Sequence, residues 1–380
     1  MAFPSTRQSS LAASAPAWEA IARGDDKALA QSDFDASATR GGDQTMLHYA
    51  CEHDSHTCAQ WILDQPGVDA NMQDAQLRTP FLLACENRAL KTVGVLMAHK
   101  DVDLKAVNKQ EQGALHMLAS SDEAVATIGA LLDKGLDASA ISSDALTPLH
   151  VAVAHDAVGV ARLLLDRGCA EWGTGAGKRA QPLLPIALAK NSAACAALLI
   201  ERCAPLGGAD TEGRTVVHLA VKMGAPCLPA ILQRKGELDL DARDRAGRAA
   251  LHYAVATGSA ERAALLLEHG AAIDAEDGAG MTPLHVACCT GEPELAAQLV
   301  AKGARVDAAD GAGNTPLHWA CQRGSEACAK LLLANNANAD CPNEAGLTPL
   351  VLATSAAMAC IFADIESDAE AGGGALKRKR

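Results

Sequence analysis

Apolar residues along this chain fall in short stripes at helical spacing, two stripes to a unit, with polar or glycine-rich breaks between them. Residues 244–270 show the unit most fully. Asp244-Arg245-Ala246-Gly247 is a turn signal in which Gly247 is free to take positive φ. A first helix is predicted from Ala249 through His252 and Ala254 to Thr257, and Gly258 breaks the chain after it. The second helix carries Ala263, Leu266 and Leu267 on one face, and Gly270 follows as a left-handed stop. Helices this short are marginal alone. Each pair must therefore bury its leucines against the pairs on either side.

The unit recurs. Thr282-Pro283-Leu284-His285-Val286-Ala287 is followed by Thr315-Pro316-Leu317-His318-Trp319-Ala320 and Thr348-Pro349-Leu350-Val351-Leu352-Ala353. Looser copies begin at Thr45, Thr79, Gly113, Thr147, Pro182, Thr215 and Ala249, with successive spacings of 34, 34, 34, 35, 33, 34, 33, 33 and 33 across all ten. Threonine in the first place is an expected N-cap, and the proline after it sits at N1, where a missing N–H costs nothing.

A period near 33 carrying T-P-L-H-x-A resembles the ankyrin repeat. The resemblance covers about residues 41–362 and implies an all-α solenoid of stacked helix-turn-helix units with short β-turn fingers. Residues 1–15, rich in Ser, Ala and Pro, are expected to be a disordered N-terminus, and 16–40 a capping helix pair broken at Gly24. Residues 363–380 are expected to be a flexible acidic, Gly-rich tail ending in a basic run. Repeats six to ten keep a glycine before the motif (Gly213, Gly247, Gly280, Gly313, Gly346), where repeats one to five have Asp43, Leu77, Glu111, Ala145 and Ala180. Repeat five departs furthest, with Pro185 in the histidine place and Cys203 in the place of the stop glycine. Asn336, in the same stop position of repeat nine, also tolerates the left-handed region.

Seven of the 12 histidines share the motif position: His48, His116, His150, His218, His252, His285 and His318. The period accounts for that spacing, so the expected role is a bond to turn backbone at each repeat junction and not catalysis or metal binding. Thirteen scattered cysteines form no paired framework. Cys51, Cys85, Cys288 and Cys321 fill one small buried position, which suits reduced thiols in the cytoplasm or nucleus.

Other signals for chemistry are weak. Gly173-Thr174-Gly175-Ala176-Gly177-Lys178-Arg179 resembles a phosphate loop but has Trp172 and Arg179 where such a loop needs Gly and Ser or Thr. Cys51, His53, His56 and Cys58 are metal-like types with neither the usual spacing nor a common direction. No catalytic residue, metal or other cofactor is assigned. The formal charge is −13, and Lys377-Arg378-Lys379-Arg380 leaves −17 on residues 1–376, which argues against direct nucleic-acid binding. No apolar run is long enough for a membrane span.

The resemblance implies a non-catalytic scaffold or adaptor that meets a protein partner on its fingers and first-helix ends. Carried onto this chain, those positions hold Lys178, Arg179, Lys190, Arg214, Lys222, Met223, Arg245 and Arg248, read as a basic stripe for an acidic segment. Trp319 and Arg323 form a second candidate anchor. A nuclear regulatory cofactor, with Lys377–Arg380 as import signal, and a nucleotide-binding regulator using the 173–179 loop stand as alternatives. The expected state is a cytoplasmic or nuclear monomer.

Overall fold

The computed structural model describes residues 15–169, 182–234, 236, 238–353, 358 and 360–362. Two compact units divide the chain, Met1–Ala204 and Pro205–Arg380.

In the first unit, helices Ala15–Arg23 and Asp26–Ala30 precede repeat one and turn at Gly24, whose φ is +66°. Five repeats follow. Their first helices are Met46–Glu52, Pro80–Glu86, Ala114–Leu118, Pro148–Ala154 and Leu183–Ala189. The second helices are His56–Leu63, Leu90–Ala98, Val125–Asp133, Val158–Asp166 and Ala193–Glu201. In the second unit the first helices are Val216–Met223, Ala250–Ala256, Pro283–Thr290 and Pro316–Arg323. Their partners are Leu228–Gln233, Ala260–Glu268, Pro293–Ala301 and Glu326–Ala334, and a 3-10 turn, Pro349–Leu352, follows them. Among the described residues strand structure is confined to the fingers. In finger one, Thr39–Arg40 pairs antiparallel with Gln44–Thr45.

The core is a line of motif side chains. Leu47, Phe81, Leu115, Leu149, Leu184, Val217, Leu251, Leu284 and Leu317 are all buried, each worth about 1.5–3 kcal/mol of transfer free energy. Leu350, in repeat ten, is 43% exposed. Pro185 is buried in the first turn of its helix, where proline removes no intrahelical bond. Cys203 and Asn336 hold φ of +56° and +62°, so the stop conformation persists without glycine. The four cysteines of the shared position are fully buried, and burial pushes the Cys321 thiol up to about 12. These thiols are packing groups.

Among the described residues histidine ties six repeats to the next, while repeats two and five have Leu82 and Pro185 in its place. In repeat eight the Thr282 backbone N–H donates to His285 Nδ1 at 3.0 Å, and the Thr282 hydroxyl lies 2.8 Å from the same nitrogen. With Nδ1 as acceptor, Nε2 carries the proton and donates to the Asn314 carbonyl in the following finger at 3.0 Å. The same bridge joins His48 to Arg78, His116 to Leu146, His218 to Arg248, His252 to Met281 and His318 to Leu347. Burial lowers the pKa of these imidazoles against the opposing effect of the carbonyl bond, so they are held neutral.

Candidate interaction surfaces

Finger seven is built round one side chain. Asp244 Oδ1 accepts the backbone N–H groups of Ala246 and Arg248, both at 2.9 Å, which closes the turn that Gly247 completes at φ +76°. Its other oxygen accepts Arg248 Nε at 3.0 Å, Arg248 Nη2 at 2.9 Å and the Tyr253 hydroxyl at 2.7 Å. Burial would raise this carboxyl, but Tyr253 and Arg248 outweigh it and hold it at about 2. Burial and the bond to Asp244 push Tyr253 up to about 12. Asp210 closes finger six in the same way and takes Arg214 Nε at 2.7 Å.

These pairs correct the expected basic stripe. Arg214 and Arg248 are ion-paired to the aspartate of their own finger, at 2.6 and 2.9 Å, and hold the turn together. They bring little net charge to the surface, because each lies beside the carboxylate it neutralises. Arg245, Lys222 and Met223 do lie exposed in the same unit, and neither cation forms an ion pair among the described residues. Lys190 is exposed at the end of Leu183–Ala189 in the first unit. Lys178, Arg179, the 173–179 loop and Lys377–Arg380 lie outside the described residues. Trp319 is half-buried on the first helix of repeat nine, and its Nε1–H donates to Asp310 Oδ2 at 2.9 Å. Arg323 is exposed with its guanidinium 6.0 Å from the Trp319 ring centre.

Sequence reasoning missed the aromatic place that links helix to finger. Tyr49, Tyr253 and Trp319 each follow the motif position occupied by histidine, and each meets the residue nine places earlier. Tyr253 and Trp319 bond Asp244 and Asp310, while Arg40 stacks on Tyr49 with its guanidinium 3.8 Å from the ring centre. That fixed spacing of nine was the available signal. Among the described residues no group of three or more His, Cys, Asp or Glu is placed to hold a metal ion, and no helix is long and apolar enough to cross a membrane.

A family model described as ankyrin repeats (3 copies) matches residues 18–108, 81–174, 225–310 and 298–364. The chain belongs to the ankyrin-repeat family. Among curated relatives, this ankyrin-repeat chain is 34% identical over 142 residues to the B-cell lymphoma 3 protein homolog of Mus musculus, covering 36% of this chain and 32% of the relative. It is 38% identical over 136 residues to the human B-cell lymphoma 3 protein, covering 34% of this chain and 30% of the relative. It is also 27% identical over 239 residues to human transient receptor potential cation channel subfamily A member 1, covering 61% of this chain and 21% of that protein. The chain thus spans a third or less of the length of these relatives. A crystal structure of the ankyrin repeat domain of Bcl-3, described as a unique member of the IkappaB protein family, aligns with a TM-score of 0.51 at 34% identity over 58% of this chain and 99% of that one. Ankyrin repeats are protein-interaction modules.

Proposed function

We propose that this chain is a non-catalytic scaffold or inhibitory subunit whose second unit grips a protein partner through finger tips and first-helix ends. The observation that carries the reading is a set of exposed side chains on first-helix ends and one finger tip of the second unit, Lys222 and Met223 in repeat six, Arg245 on finger seven and Arg323 in repeat nine, with Trp319 set beside Arg323. Trp and Arg are favoured interface anchors. Fingers closed internally by Asp210, Asp244 and Asp310 keep that surface pre-organised, so little ordering cost falls on binding. The contacting cations favour a partner segment with acidic groups, now met by Lys222, Arg245 and Arg323 in place of the neutralised Arg214 and Arg248. The likeness to B-cell lymphoma 3 protein supports a regulatory binding protein of the IκB kind. Lys377–Arg380 supplies a short basic run for nuclear import, tested by deleting it and imaging the chain.

Capture from cell extract by the full chain tests the main reading. The triple variant Lys222→Glu, Arg245→Glu, Arg323→Glu is compared with a charge-matched control, Lys134→Glu, Lys302→Glu, Lys330→Glu, at exposed second-helix positions. Mass spectrometry should find proteins held by the wild type and the control but released by the first variant. Equal retention, or equal loss, by the two variants would remove this surface as the partner site.

A further inference from the structure

Large apolar side chains left in water are sparse here, and their placement is uneven. Among the described residues of the first unit four stand exposed: Met72 (43%), Leu77 (48%), Val107 (46%) and Ile141 (57%). All four lie on the fingers of repeats two, three and four, and Val107 and Ile141 occupy the same finger position 34 residues apart. Repeat seven has Arg243 in that position, where it donates to the Glu276 carbonyl of the next finger. Leu77 is doubly costly, being exposed and held at φ +60°, where later repeats use glycine.

A second observation falls at the same place. Backbone bonds join neighbouring fingers: Ala75 N–H to the Gly42 carbonyl at 2.9 Å, and Ser143 N–H to the Gln110 carbonyl at 3.0 Å. In the second unit the same bond joins fingers six to seven, seven to eight, eight to nine and nine to ten, from Arg245, Gly278, Gly311 and Glu344. Between fingers two and three it is not formed, so Lys109 N–H and the Gln76 carbonyl have no bonded partner among the described residues. Lys105 and Lys109 flank Val107, both exposed and neither ion-paired among the described residues.

From this we infer that fingers two to four are a docking strip for an extended segment of a partner protein, with apolar side chains and acidic residues beside them. Its apolar groups would cover Leu77, Val107 and Ile141, its carboxylates would meet Lys105 and Lys109, and its backbone would take up the open N–H and carbonyl between fingers two and three. The strip belongs to the first unit and the surface proposed above to the second.

Panning the full chain against a random displayed dodecapeptide library, then measuring the enriched peptides in synthetic fluorescent form, tests this. Enriched peptides should combine Ile, Leu, Val or Phe with Asp or Glu. Their affinity should drop by about tenfold or more in Leu77→Gly, Val107→Ser, Ile141→Ser, and also in Lys105→Glu, Lys109→Glu, where added salt should no longer weaken binding. Lys222→Glu, Arg245→Glu, Arg323→Glu should leave it unchanged, which separates this strip from the second-unit surface. Circular dichroism checks that each variant folds, and exposed tips make that the expected result. Enrichment of basic peptides, or unchanged affinity in the apolar variant, overturns the proposal. So does concentration-dependent self-association that the apolar variant abolishes, because the strip would then serve a second copy of the chain.

Discussion

Fingers two to four and fingers seven to nine use one backbone conformation with different residues. Gly247, Gly280 and Gly313 hold φ near +76°, and Leu77, Glu111 and Ala145 hold φ of +60°, +58° and +60°. The late glycines meet a second demand. A Cβ on Gly247 would lie 2.4 Å from the Gly278 nitrogen, one on Gly280 2.7 Å from that of Gly311, and one on Gly313 2.8 Å from that of Glu344. The left-handed turn is needed in every finger, but glycine is obligatory only where the next finger packs this closely.

Helix ends repeat the lesson. Gly224, Gly258 and Gly291 end first helices in the second unit, and a Cβ there would lie 3.3–3.6 Å from Arg262, Glu292 or Ser325 of the following repeat. In the first unit Asp54 and Asp156 hold the same conformation at φ +49° and +55°. There the side chain reaches forward: Asp54 Oδ1 accepts the Thr92 N–H at 3.1 Å and its hydroxyl at 2.9 Å, and Asp156 Oδ1 accepts the Cys195 N–H at 2.8 Å. Early repeats reach to the next repeat with a side chain. Late repeats leave room for the next repeat to reach back.

Acid should separate the two units most. The folded histidines sit below 6.5, so between their folded values and 6.5 the unfolded chain binds more protons and stability is lost as pH falls. Each contributes at most ~1.4 kcal/mol per pH unit in that window. Of the buried motif histidines, four lie in the second unit, His218, His252, His285 and His318, and three in the first, His48, His116 and His150. Hydrogen exchange at pH 7.5 and 5.5 should show protection falling more steeply beyond residue 205, and equal slopes would show that the bridges do not control acid sensitivity.

Next in size is Gly247→Ala, which should cost about 3 kcal/mol by forcing fingers seven and eight apart. Ala145→Gly, the reverse change in an early finger, should stabilise slightly. A small cost for the first, read from urea unfolding, would mean that late fingers are no more tightly coupled than early ones. His285→Ala should cost about 2 kcal/mol, since it leaves the Thr282 N–H and the Asn314 carbonyl without their partner. Thermal unfolding with a cost under about 0.5 kcal/mol would place water in that bridge instead. Smallest is Leu77→Gly, expected to stabilise by about 1 kcal/mol through release of the left-handed strain. A loss of stability there would show that Leu77 packs within the fold, against both the comparison and the docking strip.

The sequence by itself determined the number and length of the repeats, the helix starts at Thr-Pro, the buried leucine line and the inter-repeat histidine, because each is a local demand repeated at a fixed period. It also marked where glycine is missing before the motif. Which surface charges are free was not legible, since an arginine's worth depends on the carboxylate it meets in space. Arg214 and Arg248 looked like Arg245 in the string, yet two are clamped to Asp210 and Asp244 and Arg245 forms no ion pair among the described residues. Nor could the string show that Gly247 lies against Gly278, or that the bond between fingers two and three is left open. Those depend on how one repeat approaches the next. Periodicity fixes what each repeat is, and only the packing between repeats decides which of its groups remain for a partner.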